Sequence, residues 1–134
     1  MKKEMLKEGI VLRQLIQDFK KDQNENTLFR VLKCLKDSSV YVPCLKSDGT
    51  KPIITTIEGV DYSLETFLKE GKEYIGIFTN VEQMKRMAPS VARMEVEFME
   101  LYKYIQKEKK DLVLDPLTNY LIIPASLIPY FDQL

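Results

Sequence analysis

The sequence predicts an α/β (α+β) fold: a single layered domain with a mixed β-sheet, an N-terminal helical pair and interleaved helices. Three observations predict this fold. Apolar residues recur every three or four positions in the first third, the period changes to two from Ser39, and helical and strand patterns then alternate. Because no repeat or domain-sized linker interrupts them, we expect one domain over residues 1–134, with helices at about 3–37 and the α/β part at about 39–134.

Two amphipathic helices open the chain. The apolar face of the first helix is formed by Met5, Leu12, Leu15, Ile16 and Phe19. The polar stretch 20–26 ends this helix, and we expect Asn26 or Thr27 to cap the second one. The apolar stripe of the second helix consists of Leu28, Val31, Leu32 and Leu35. Two helices joined in this way are expected to pack as a hairpin or to lie together on a sheet.

The period-two part begins with runs of β-branched and aromatic residues. These runs predict strands at 40–42, 53–57 and 74–78. The first strand is expected to end at Pro43, because proline is tolerated at strand ends and edges. Asp48 and Gly49 predict a turn before the second strand. Residues 64–67 fit either a short strand or a helical turn.

A capping-box spacing follows the third strand. Thr79 and Glu82 are three residues apart, which predicts a helix at 81–87. The stretch after it fits both a strand period and a helix period. We interpret it as a strand that ends at about residue 97, followed by a helix at about 98–109.

The C-terminal region is expected to form a hairpin and one short helix. Strands at 112–114 and 120–123 flank a type I turn at 115–118, in which aspartate precedes proline. A helix is expected at 125–128, and Pro129 is expected to break it because proline removes a backbone donor.

The composition excludes several classes of site. The chain contains no histidine, so a Ser-His-Asp or Cys-His nucleophile, a histidine zinc site and a histidine proton shuttle cannot be built from it alone. Twenty basic and twenty acidic residues cancel, which argues against a duplex nucleic-acid binder. Neither G-x-G-x-x-G nor a P-loop is present, and we expect no cofactor.

Two cysteines are the only thiols of the chain. Cys34 lies in an apolar helical pattern and Cys44 follows a strand, so both are interpreted as small buried apolar residues rather than redox or metal ligands. We recognise no signal peptide in the sequence, because residues 1–8 are charged and no continuous apolar run follows them, and no apolar run reaches the roughly 18 residues of a membrane span. A cytoplasmic location with reduced thiols is therefore expected.

Carboxylates are the most plentiful candidates for acid-base chemistry. Glu95 and Glu97 project to the same face of a strand, where they could share a proton or hold a hard cation. With Arg93 beside them, the exposed polar face of a half-buried strand is the simpler interpretation. We expect no metal site.

The aromatic residues divide into core and surface candidates. The phenylalanines expected on apolar faces are Phe19, Phe29, Phe67, Phe78 and Phe98. Tyrosine is amphipathic, which suits a protein contact, and the tyrosines considered for a surface groove are Tyr62, Tyr102, Tyr104, Tyr120 and Tyr130. Flexible methionines would support such a surface at Met84, Met87 and Met99.

Several segments, taken in order, resemble the N-terminal domain of the SseB family (enhanced serine sensitivity protein). The resemblance extends from about residue 3 to the C-terminus. The matching segments are Leu28 to Leu32, Val40 to Pro43, Leu64 to Phe67 with the Gly71 turn, Ile75 to Glu82, and Leu101 to Pro116. The family usually has asparagine where this chain has Asp115, and either residue can start the turn.

The resemblance implies a small α/β fold without known catalytic machinery. The family name describes a growth phenotype linked to amino-acid metabolism, and the activity of any additional C-terminal domain found in relatives is not implied here. Thr79 with Asn80, and Asp115 with its proline, match family motifs, and we interpret them first as a helix cap and a turn. The binding-surface candidates are Thr79, Asn80, Asp115, Tyr102 and Tyr120.

The preferred hypothesis is a non-enzymatic cytosolic domain that binds another protein, as a regulatory or accessory module. Self-association into a homo-oligomer is also considered, and neither nucleic acid nor membrane is expected as a partner. The alternative is a small-molecule-binding domain or a carboxylate-dependent enzyme. Its pocket would lie at the carboxyl edge of the sheet, near Thr79 and Asp115.

Overall fold

The computed structural model describes residues 9–84, 92–117 and 120–134. Within these ranges the chain forms three α-helices, two 3₁₀ helices and eight strands. The α-helices are α1 (Ile10–Lys21), α2 (Glu25–Lys36) and α3 (Phe98–Glu108), and the 3₁₀ helices span Val81–Met84 and Ala125–Gln133. The strands are β1 (Ser39–Lys46), β2 (Thr55–Ile57), β3 (Val60–Leu64), β4 (Thr66–Lys69), β5 (Lys72–Ile77), β6 (Ala92–Glu97), β7 (Asp111–Leu114) and β8 (Leu121–Ile123). The predicted α+β class is confirmed.

The N-terminal helices form the expected pair, α1 and α2. Residues 3–8 of the predicted first helix lie outside the described residues. The cap of α2 is Asn24, and the prediction of Asn26 or Thr27 was wrong. The Asn24 side chain accepts a hydrogen bond from the Thr27 N–H at 3.0 Å, and the Asn24 N–H donates to the Thr27 hydroxyl at 3.2 Å. Thr27 therefore completes a capping box from inside the helix, which places the helix start two residues earlier.

The strands divide into two four-stranded sheets. The first sheet has the order β2-β3-β1-β6 and is antiparallel throughout. The second sheet has the order β4-β5-β7-β8 and is mixed, because β5 and β7 run parallel while the other pairs are antiparallel. The mixed sheet that we predicted is thus the second of two. Tyr41 and Phe78 link the sheets through reciprocal backbone hydrogen bonds of 2.9 and 2.8 Å.

β1 continues through Pro43 to Lys46, so the predicted strand end at this proline was wrong. The register of β1 with β3 begins only at Cys44. The Pro43 carbonyl instead accepts a hydrogen bond of 2.9 Å from the Glu65 N–H, at the joint between β3 and β4. Because the ladder is interrupted at this joint, the N–H that proline lacks is not needed there.

The ambiguous stretch 64–67 lies at that same joint. Leu64 ends β3 and Thr66 begins β4, so the chain passes from the first sheet to the second without forming a helical turn. The strand predicted at 53–57 begins later, at Thr55.

Two predicted helices have 3₁₀ geometry. Val81–Met84 is a 3₁₀ helix, and residues 85–87 of that prediction lie outside the described residues. The last helix continues through Pro129 to Gln133, so the predicted break was wrong. The φ angle imposed by proline is close to that of a 3₁₀ helix, and short 3₁₀ turns tolerate one missing donor.

The split between β6 and α3 is confirmed, as is the hairpin of β7 and β8. Turn geometry at Pro116 and Leu117 agrees with the predicted turn, whose fourth residue lies outside the described residues. Both cysteines are buried and free. Among the described residues, no helix is long and apolar enough to cross a membrane.

One apolar core joins the three α-helices, both sheets and the last 3₁₀ helix. Its aromatic centre is formed by Phe98, Tyr102 and Phe131, with the ring of Phe131 4.7 Å from that of Phe98 and 5.7 Å from that of Tyr102. The second sheet contributes Ile75, Ile77, Leu112, Leu114, Leu121 and Ile123 to this core. Since side chains alternate along a strand, the residues between them face the opposite side of the sheet.

Candidate functional site

The carboxyl ends of the parallel strands β5 and β7 bring Thr79 and Asp115 together. The Thr79 N–H donates to Asp115 Oδ1 at 2.8 Å, and the Thr79 hydroxyl donates to Oδ2 at 2.9 Å. In return the Asp115 N–H donates to the Ile77 carbonyl at 2.8 Å. Parallel register places Ile77 beside Leu114, so the residues that follow these two must meet. We call this arrangement the Thr79–Asp115 corner.

The start of α1 packs against the Thr79–Asp115 corner. Arg13 Nη1 donates to the Thr79 hydroxyl oxygen at 3.3 Å. Gly9, the N-cap of α1, has a φ of 68°, and a Cβ there would lie 2.6 Å from the Cβ of Thr79. Glycine is therefore required at position 9 for two reasons: the backbone is left-handed there, and Thr79 approaches too closely for a Cβ.

These contacts define the chemistry of the corner. Thr79 is 1% exposed, Asp115 is 3% exposed and Asn80 is 9% exposed. Both carboxylate oxygens of Asp115 accept hydrogen bonds from Thr79, so the carboxylate holds two strand ends together. Three of the five sequence candidates thus share one place in the fold, beneath the surface.

Tyr102 was expected at a surface, and this expectation was wrong. Its side chain is 3% exposed, and its hydroxyl donates to the Ile128 carbonyl at 2.9 Å. It lies on α3 four residues after Phe98, on the helix face that enters the core. Burial raises the pKa of the Tyr102 hydroxyl.

Tyr120 is exposed and lines an apolar groove of about 270 Å³ on the outer face of the second sheet. This groove, which we call the sheet groove, takes its floor from alternate residues of the strands and one wall from the turn after β7. The lining residues are Phe67, Leu68, Lys69, Tyr74, Val113, Pro116, Leu117, Tyr120 and Ile122. The wall begins directly after Asp115, so the buried corner and the sheet groove adjoin each other.

Gly76 makes room for the ring of Phe67 in the floor of the sheet groove. It pairs with Val113 across the parallel register, on the outer face of the sheet. A Cβ at Gly76 would collide with the ring of Phe67, which lies across this position from the edge strand β4. Aromatic cover of a strand glycine stabilises such a position.

Two lysines stand over the Tyr120 ring at the rim of the sheet groove. Lys69 Nζ lies 4.1 Å from the ring centroid and donates to the Tyr120 hydroxyl at 3.1 Å. Lys20 Nζ, from α1, lies 5.6 Å from the same centroid. The hydrogen bond with Tyr120 raises the pKa of Lys69, which stays charged at neutral pH.

Other predicted site residues lie elsewhere. Glu95 and Glu97 are exposed on β6, and the described part of the chain contains no group of three or more potential metal ligands. Met84 is fully buried and Met99 half-buried, so the expectation of exposed methionines was wrong for Met84, whereas Met87 lies outside the described residues.

The residues that form the floor of the sheet groove were not predicted as surface residues from the sequence. Phe67 was expected to be core and is half-buried, while Phe29, also expected on an apolar face, is 49% exposed. The available signal was the apolar run in β5 and in β7, from which we predicted strands without assigning their faces. A sheet covered on one face only would give the same run when its other face carries an apolar groove.

The family model for the SseB protein N-terminal domain matches residues 12–128. The chain belongs to the SseB family. This match includes nearly all of α1, both sheets, the Thr79–Asp115 corner and the sheet groove of this SseB domain. No curated protein and no solved structure matches the chain significantly.

Proposed function

We propose that this SseB domain is a non-enzymatic cytosolic module that binds another protein through the sheet groove. The observation that carries the proposal is an apolar groove lined by the rings of Phe67, Tyr74 and Tyr120, on the face of the second sheet that points away from the core. Contact surfaces between proteins are enriched in aromatic residues and depleted of charge at their centres.

The size of the sheet groove also favours a protein partner. Its volume of about 270 Å³ lies just below the roughly 300–1,000 Å³ of pockets that enclose small molecules. A shallow apolar site of this size suits the side chains of a docked polypeptide. Leu68, which is 75% exposed at the edge of the groove, extends the apolar surface outward.

The alternative of a small-molecule or carboxylate-dependent site at the strand ends has less support. Both oxygens of Asp115 accept hydrogen bonds from within the protein, and the residue is nearly inaccessible. A ligand at the corner would have to displace these bonds. Stabilisation by a metabolite in a thermal-shift screen, abolished by Thr79→Ala, would favour the alternative.

Site-specific photocrosslinking tests the proposal. A photoreactive phenylalanine analogue replaces Tyr120 in one variant and Tyr130, which is 52% exposed on the last 3₁₀ helix, in the matched control. In native cytosol we expect a discrete protein adduct from position 120 and none from position 130. Adducts of equal yield from both positions, or none from position 120, would contradict the proposal.

A further inference from the structure

We propose that the sheet groove takes a short acidic segment of the partner, in which apolar side chains enter the groove and flanking carboxylates reach the lysines at its rim. This inference rests on the proposed function and adds the chemical class of the bound segment. It depends on three features: the apolar floor, the two rim lysines and the open edge of β4.

The floor selects apolar side chains. Phe67, Tyr74, Val113 and Ile122 form it, and none of them carries a charge. A volume of about 270 Å³ is enough for one or two large side chains. The anchor of the bound segment is therefore an apolar or aromatic pair of residues.

The rim selects negative charge. Lys69 on β4 and Lys20 on α1 approach the same Tyr120 ring from different elements of the fold. Within the described ranges, Lys69 forms no ion pair with a carboxylate, whereas the nearby Lys72 is paired with Asp111 at 2.8 Å. The two ammonium groups beside the Tyr120 ring attract carboxylates more than basic segments, and Glu70 next to Lys69 offsets part of this charge.

The edge of the second sheet leaves room for an extended segment. β4 is the outermost strand on this side, and its exposed Leu68 and Lys69 lie at the mouth of the groove. A segment that runs beside β4 can place alternate side chains in the groove and near the lysine.

A binding experiment with defined peptides tests this inference. The probe is a short fluorescent peptide with Leu-Phe at its centre and aspartates on both sides. One control peptide carries lysines in place of the aspartates, and the other carries Ser-Ser in place of Leu-Phe. We expect the acidic apolar peptide alone to bind the full chain in fluorescence anisotropy, with affinity that falls as salt rises.

Charge reversal at the rim completes the test. Lys69→Glu is expected to weaken binding of the acidic peptide about fivefold or more. The matched control is Lys46→Glu, which reverses an exposed lysine of β1 in the first sheet and is expected to leave binding unchanged. Equal binding of the acidic and basic peptides, or loss of binding through Lys46→Glu as well, would overturn the inference.

The outcomes separate this inference from the proposed function. If position 120 gives a protein adduct but the acidic peptide does not bind, the acidic class is wrong and the binding module stands. If neither is observed, both proposals fail. A concentration-dependent dimer in sedimentation, abolished by Leu68→Ser, would assign the sheet groove to a second copy of this chain and overturn the inference.

Discussion

Asp115 combines a buried carboxylate with a left-handed backbone, at a φ of 50°. Both properties are costly in an L-residue other than glycine, and asparagine and aspartate tolerate the backbone conformation best. The hydrogen bonds to Thr79 offset the burial. Aspartate at position 115 is therefore explained by its two roles at the corner, as a residue that tolerates the left-handed backbone and as the acceptor for Thr79.

Two substitutions of Asp115 are expected to distinguish the contribution of its hydrogen bonds to stability from the contribution of its charge. Asp115→Ala leaves the buried Thr79 N–H without its partner and is expected to lower the free energy of unfolding by about 2–3 kcal/mol. Asp115→Asn keeps an acceptor oxygen and suits the left-handed backbone, so we expect a loss of less than about 1 kcal/mol. Urea unfolding measures both values, and equal losses would contradict this account.

Cys44 predicts a dependence of stability on alkaline pH. Burial raises the pKa of its thiol from 9.0 to about 11. The folded protein holds this proton more tightly than the unfolded chain, so the contribution is fully present below pH 9.0 and is lost as pH rises toward about 11. Two pKa units correspond to roughly 2–3 kcal/mol.

The matched comparison for this effect is Cys44→Ala. The variant has no thiol to ionise, so its stability is expected to fall less steeply than that of the wild type between these pH values. Chemical unfolding at several alkaline pH values measures the difference. Parallel curves for the two proteins would refute the assignment.

At the scale of elements, Asp111 connects three parts of the fold. Its Oδ2 pairs with Lys72 of β5 at 2.8 Å, and its Oδ1 accepts from the Ala125 N–H at the start of the last 3₁₀ helix at 2.7 Å. The ion pair with Lys72, together with the Ala125 hydrogen bond, lowers the pKa of Asp111. Stability from this carboxylate is thus present above its unfolded pKa near 3.8 and is lost as pH falls through the lower folded value.

Two substitutions at Asp111 test this connection. Asp111→Asn keeps an acceptor for the Ala125 N–H, whereas Asp111→Ala removes it and is expected to cost about 1–2 kcal/mol, as for loss of a helix cap. Both variants are expected to lose less stability than the wild type on acidification below pH 3.8. Thermal unfolding across this acid range measures the slope, and an unchanged slope in both variants would refute the connection.

Gly76 of β5 and Phe67 of β4 are in contact, so the coupling between these two strands can be tested by substituting both residues. Gly76→Ala forces the Phe67 ring to move and is expected to destabilise the protein by about 1–3 kcal/mol through overpacking. Phe67→Leu replaces the ring and is expected to make Gly76→Ala nearly neutral in the same chain. Urea unfolding of the two single variants and the double variant measures the coupling.

Most elements could be predicted from periodicity, and the errors have physical causes. Pro43 was expected to end a strand because local rules do not show where a ladder is interrupted. The cap of α2 was placed too late because Thr27, a typical N-cap residue, occupies the third helical position instead. At Pro43 the deciding partner is the Glu65 N–H, which only the folded chain brings close, whereas the cap of α2 depends on a local pairing of Asn24 with Thr27.

At the scale of the whole molecule, Thr79 and Asp115 could be selected from the sequence, but the sheet groove beside them could not. Thr79 and Asp115 were selected from their motifs, and the parallel register of β5 and β7 explains why they meet. The sheet groove could not be predicted, because its floor comes from four strands and its residues look like core residues in each of them. The order of the strands in the second sheet, which local patterns do not give, places these residues side by side.

The wall of the sheet groove and the corner are successive residues of one short stretch, Asp115, Pro116 and Leu117. A partner that contacts Pro116 and Leu117 would restrict the motion of Asp115, and with it the Thr79–Asp115 corner, without contacting the corner itself. Exchange of the Thr79 amide hydrogen with solvent should then slow when the groove is occupied, so that a buried amide would report binding at the adjoining surface.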